Sequence, residues 1–110
     1  PPGLVMVCVV VGMALATSTR QYARIWQSDV ALWAYAVERA PEKPRTLNNY
    51  GVSLAAVGRL GEARRWFVRA AIAGASPRLP RWDCREGHQT AQANITAIDA
   101  LIAHLRSATR

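Results

Sequence analysis

The first regularity along the chain is an unbroken apolar run. Gly3 to Ala16 reads GLVMVCVVVGMALA, and Thr17, Ser18 and Thr19 follow it. Apolar residues occupy every face, so the run has no amphipathic stripe and predicts a helix surrounded on all sides by apolar material. As a helix, residues 3–19 rise about 25 Å, slightly less than the roughly 30 Å hydrocarbon core of a bilayer. Tyr22 and Trp26 come next, beside Arg20 and Arg24, in the order expected of an interfacial belt. The expectation is a transmembrane helix over residues 1–19. Two other readings stand beside it. One is a buried strand or helix of a soluble core. The other is a signal peptide, for which Ala14-Leu15-Ala16 has the small-x-small form of a cleavage site, although the basic leader is missing. The chain opens Pro1-Pro2 without Met and is expected to be a piece of a longer polypeptide, with this helix the last of several spans.

Helical periodicity takes over from residue 30. Val30 to Val37 predicts one helix, which Pro41 and Pro44 bring to an end. Leu47, Tyr50, Gly51, Leu54 and Ala55 then mark a second apolar face, and Ala63, Trp66, Phe67, Ala70 and Ala71 a third. Between these two lies Gly58-Arg59-Leu60-Gly61, whose glycines free the backbone to turn. Glu62 suits the first turn of the following helix, where the macrodipole favours an anion. Arg64, Arg65 and Arg69 fall on that helix's outer face. The prolines of Ser76–Trp82 predict a loop. Thr90 to Arg106 predicts a last helix, with Ala93, Ala97, Ala100, Leu101 and Leu105 on one side and Ile95, Ile98 and Ile102 flanking it. The fold class expected is all-α.

Charge alters this picture only modestly. The formal net charge of +7 lies wholly within residues 20–110, and Lys43 is the only lysine among the basic residues. Such a domain favours an anionic partner. The arginines are nevertheless dispersed, and no nucleic-acid reader motif accompanies them, so nucleic acid is disfavoured. Cys8 and Cys84 form neither a CxxC pair nor a zinc spacing. His88 stands four residues after Cys84, but further metal ligands are lacking, and nothing supplies an oxyanion site for a thiol nucleophile. No phosphate loop, carboxylate pair or hydroxyl triad is present. The expectation is a binding module with no cofactor, no metal and no catalysis of its own.

The spacing from Leu47 to Phe67 resembles a tetratricopeptide repeat (TPR): Leu47-Asn48-Asn49-Tyr50-Gly51-Val52-Ser53-Leu54, then Ala63-Arg64-Arg65-Trp66-Phe67 at the expected distance. Leu47 and Leu54 stand where the pattern has aromatics, and Pro77 comes two residues after the closing proline position. Trp33, Ala36 and Pro41 look like the end of a preceding repeat, with Asp29 in place of the usual alanine. Taken with the apolar segment and Trp26, Ser28, Leu32, Val37 and Arg45, this order resembles the C-terminal region of bacterial polytopic membrane proteins that carry TPR tails. Their eukaryotic counterparts are transmembrane TPR O-mannosyltransferases. The resemblance covers residues 14–77. Together with the apolar run and the tail, the organisation expected is a transmembrane helix over 1–19, juxtamembrane and partial TPR helices over 20–43, a TPR hairpin over 44–77, and over 78–110 a loop with a capping helix, for which the first helix of a third repeat is the alternative.

The resemblance also implies a function and a place. TPR arrays bind a protein or peptide in a groove lined by the first helix of each repeat, which here presents Arg45, Asn48, Asn49, Val52 and Ala56. Asn49 matches the asparagines that line the groove of O-GlcNAc transferases. The plainer alternative for Asn48 and Asn49 is helix capping or simple solvation. The family order places the repeats on the periplasmic side of a bacterial inner membrane, whereas the arginine excess alone favours the cytoplasm. Besides a membrane-anchored interaction module, two roles fit: an acceptor-recruiting tail of a glycosyltransferase-like membrane protein, or an accessory subunit of a membrane complex.

Overall fold

The computed structural model describes residues 1–25, 28–78 and 80–110; the side chains of 21–25 and 81–84 lie outside that description. The Tyr22/Trp26 belt and the side chains of Trp82 and Cys84 are therefore outside the described residues. Within the described residues the chain is all helical, without strands: α1 (Pro2–Ile25), α2 (Asp29–Arg39), α3 (Pro44–Ala56), α4 (Leu60–Gly74) and α5 (Arg81–Ala108).

α1 stands apart from the others. Residues 1–20 are all exposed, and among the described residues α1 touches only α2. Pro2–Arg20 has a mean hydropathy of 1.9, and its 19 residues would rise about 28 Å, close to the roughly 30 Å hydrocarbon thickness. The helix is thus long and apolar enough to cross a membrane. Its last polar turn fits that use, because Thr17, Ser18 and Thr19 donate their hydroxyls back to the carbonyls of Met13, Ala14 and Leu15 at 2.8, 3.0 and 2.9 Å. No hydroxyl there depends on water for a partner.

Local chemistry sets the other helix ends. The Ser28 hydroxyl accepts from the Ala31 N–H at 3.1 Å, capping α2, and Asp29 sits in its first turn. α3 opens on Pro44, which donates no hydrogen bond and has a φ already suited to a helix. It closes at Gly58, whose φ of 82° favours glycine. The Gly58 and Arg59 N–H groups donate to the carbonyls of Ala55 and Leu54, both at 3.0 Å, the paired bonds of a Schellman cap. The second expected breaker, Gly61, lies inside the first turn of α4.

α3 and α4 form an antiparallel hairpin, and its core is built from small residues. Leu54 clusters with Ala63 and Phe67 near the turn, and Leu47 with Ala70 and Ala71 at the far end. At the crossing Gly51 faces Phe67: a methyl group at position 51 would lie 2.6 Å from the ring and 3.2 Å from the Ala63 carbonyl oxygen. α2 runs antiparallel to α3, with Val37 in the Leu47 cluster and Val30 against the Leu54 cluster. Tyr50 and Trp66 meet at 4.8 Å between ring centroids, tilted by 58°.

α5 corrects the sequence reading at its start. It begins at Arg81, immediately after Pro80, rather than near Thr90. Residues 81–89 are too polar to show an apolar period, and their helicity is supported by contacts distant in sequence. Gly87 packs against Pro44, His88 lies against Gly74, and the His88 Nδ1 is 2.9 Å from the Ala71 carbonyl oxygen. Farther along, Ala91 joins the Leu47 cluster and Ile98 the Leu54 cluster. α5 is thus parallel to α3 and antiparallel to α4. A bidentate pair ties α5 to α4: Arg64 Nε and Nη2 donate to the two Asp99 carboxylate oxygens at 2.6 and 3.2 Å.

Two outcomes follow for stability. Gly51→Ala should lower the melting temperature, costing about 1–3 kcal/mol, because the buried Phe67 ring has little room to move. Gly61→Ala, where a methyl group meets nothing, should be neutral or raise it; circular-dichroism melts in detergent would compare the two. The second outcome concerns pH. The Arg64 guanidinium holds the Asp99 carboxyl below its ordinary value. Its contribution is therefore present above the unfolded carboxylate pKa of about 3.9 and lost as pH falls through the lower folded value. Asp99→Asn should lower the melting temperature slightly at neutral pH, and the difference from the unaltered chain should vanish as pH falls below the folded Asp99 value.

Candidate binding face of the third helix

Periodicity divides α3 into distinct sides. Leu47, Gly51 and Leu54 are buried toward α4. Arg45, Asn49, Val52 and Ala56 follow one another at steps of four, three and four residues, so they form one longitudinal strip. Arg45, Val52 and Ala56 are exposed, Val52 at 48%, and Asn49 is half-buried. Four of the five groove residues expected from sequence therefore stand together on one accessible side.

The fifth, Asn48, does not, and its placement is a correction. Asn48 is only 6% exposed. Its Oδ1 accepts a hydrogen bond from Asn94 Nδ2 of α5 at 2.8 Å. One residue on a helix is about 100° of rotation, enough to turn Asn48 toward the parallel α5 while Asn49 remains on the open side. Adjacent asparagines look equivalent in the sequence, and only the arrival of α5 separates them.

α5 also extends the face. Thr90, Ala97 and Leu101 lie four before, three after and seven after Asn94, on the same side of the helix. All three are exposed, Leu101 at 44%. Two strips thus flank the part-buried Asn48–Asn94 pair. One end is polar and basic, with Arg45, Asn49 and Thr90, and the other is apolar, with Val52, Ala56, Ala97 and Leu101. Asn94 and Thr90 were not picked out by sequence reasoning; the nearest available sign was an asparagine interrupting the apolar side of an otherwise Ala- and Ile-rich helix.

This face is suited to recognition. Asn49 offers an amide that can both donate and accept, Arg45 a guanidinium, and the far end apolar surface. Within the described residues no three His, Cys, Asp or Glu side chains gather as a metal site would require. His88 is engaged by the Ala71 carbonyl, and the Cys84 side chain lies outside the described residues. On the opposite face Arg59 pairs with Glu62, and the Arg69 guanidinium sits 5.0 Å from the Trp66 ring centroid. Comparison with known protein families, curated proteins and solved structures finds no match to this chain.

The two asparagines should behave differently when truncated. Asn48→Ala strands the Asn94 amide at the helix interface and should cost about 1–2 kcal/mol of stability. Asn49→Ala should be close to neutral, since alanine is the better helix former. A double-mutant cycle of Asn48→Ala and Asn94→Ala should show a coupling of about 1 kcal/mol, and additive effects would mean the pair contributes nothing.

Proposed function

We propose that the chain is a membrane-anchored, TPR-like interaction module that captures a protein or peptide on the face formed by α3 and α5. The observation that carries this reading is the strip Arg45–Asn49–Val52–Ala56. On a helix otherwise packed by its neighbours, it leaves a charged, an amide and an apolar group accessible side by side. Leu101 and Ala97 of α5 widen that strip beyond the width of one helix. The α3–α4 hairpin with Gly51 at its crossing supports the repeat resemblance. The exposed apolar run that opens α1 supports a membrane anchor, and the family order favours the bacterial inner membrane with the rest on its periplasmic side. The module performs no chemistry in this reading; it holds a partner near the bilayer.

Direct binding separates this face from the arginine row of α4. A photoreactive residue at position 49 or 52 should crosslink a discrete partner in native membranes, and Asn49→Ala with Val52→Asp should reduce capture of that partner by about tenfold, or roughly 1.4 kcal/mol. Arg45→Ala should add a salt-sensitive loss if the partner is acidic. Crosslinks that instead arise from positions 65 and 69, with capture intact in the double variant, would show that the opposite face binds.

A further inference from the structure

Among the described residues outside α1, five large apolar side chains are exposed: Val52 (48%), Val57 (59%), Ile72 (70%), Leu101 (44%) and Leu105 (46%). All but Ile72 lie in the C-terminal halves of α3 and α5 or just beyond. Because these helices are parallel, Val57 and Leu105 come to one end of the bundle. A cavity of about 440 Å³ opens there between the α3–α4 turn and α5, lined by Gly58, Leu60, Gly61, Ile102 and Leu105, with Arg106 at its edge. Arg59, Arg106 and Arg110 are exposed around it. The acidic groups facing this end are Asp29 and Glu62, and Glu62 is already paired with Arg59.

The same end is where α1 departs. α2 is antiparallel to α3, so its first turn lies beside the α3–α4 turn. Ile25 and Ser28 are three peptide steps apart, so they can lie at most about 10 Å from each other. Residues 1–20 remain exposed, so α1 leaves the bundle instead of folding back along it. An apolar rim set with arginines, held this close to a helix able to cross a membrane, has the composition of an interfacial contact. The long arginine side chains can lay their stems on apolar surface while the guanidiniums reach phosphate oxygens.

We infer that the rim formed by Val57, Leu60, Ile102 and Leu105, with Arg59, Arg106 and Arg110, rests on the anionic headgroups of the bilayer that holds α1. The inference depends on α1 being the anchor. Docking fixes the bundle's tilt, lifts the opposite end, with Glu42 and Arg78, into water, and leaves the polar end of the α3–α5 face open to a partner.

Full-length chain lacking its own thiols (Cys8→Ser, Cys84→Ser) tests this with single fluorescent labels. The sites are Val57→Cys and Leu105→Cys at the rim, Glu42→Cys and Arg78→Cys at the far end, and Val10→Cys inside α1. The protein is reconstituted into vesicles of phosphatidylcholine, with and without phosphatidylserine. Quenching by a headgroup-linked nitroxide lipid is compared with quenching by aqueous iodide. The expected result is that the lipid quencher reaches positions 57 and 105 and iodide reaches 42 and 78, with the contrast strongest in phosphatidylserine. Arg106→Glu should then reduce the docked-to-undocked ratio by about fivefold or more, the equivalent of roughly 1 kcal/mol for one basic side chain near an anionic surface. Two results overturn the inference while Val10 stays shielded from iodide. One is iodide reaching 57 and 105 as freely as 42 and 78. The other is shielding of 57 and 105 from both quenchers, which means a protein covers the rim. If iodide reaches Val10, the anchor itself is wrong and the rim contact falls with it.

Discussion

The close crossing of α3 and α4 is the constraint on which the rest of the bundle depends. Gly51 lets the Phe67 ring lie against the α3 backbone, and Ala63, Ala70 and Ala71 continue the narrow seam along α4. A core rich in alanine buries little area per residue, so much of its stability comes from short separation and dense dispersion contact. Leu47, Leu54, Phe67 and Ile98 are the largest apolar side chains buried in it, each worth about 1.5–3 kcal/mol of burial. Such a seam tolerates added volume poorly, because neither backbone can retreat without opening the contacts on either side of the crossing.

The same economy governs the third layer. α5 reaches the hairpin through Gly87 against Pro44 and His88 against Gly74, then places Ala91 and Ile98 into the two clusters already set by α3 and α4. Besides the His88 contact with the Ala71 carbonyl, two side-chain pairs help fix its register. The part-buried Asn48–Asn94 bond sits on the α3 side and the exposed Arg64–Asp99 pair on the α4 side. The amide pair forms only when both helices are in register, whereas water screens the exposed ion pair and gives it less weight. Packing α5 in this way turns Arg45, Asn49 and Val52 into a bounded face by closing one edge of it.

α1 obeys different physics. Residues 1–20 make no core with the bundle, and the hydroxyls of Thr17, Ser18 and Thr19 are satisfied along the helix. A helix with this surface, 0% buried over its apolar window, leaves its apolar area to be covered by something other than this chain. Its connection to Ser28 is only three peptide steps long, which limits the distance between them. That distance brings the apolar rim around Val57 and Leu105 into consideration as more than incidental exposure.

Much of this was legible in the sequence because it depends on neighbours a few residues apart. The apolar run of α1, the extents of α2, α3 and α4, the turn at Gly58 and the small residues at the hairpin crossing all follow from periodicity, capping and steric need. The start of α5 did not follow, since residues 81–89 carry no apolar period and their helix is held by Pro44, Gly74 and the Ala71 carbonyl. Nor did the fate of Asn48, which became a buried partner of Asn94 while Asn49 stayed on the open strip. Local order is encoded by short-range backbone and side-chain preferences, which a sequence displays directly. Which of two adjacent polar groups faces a neighbour depends on a helix more than forty residues away, and only close packing in three dimensions decides it.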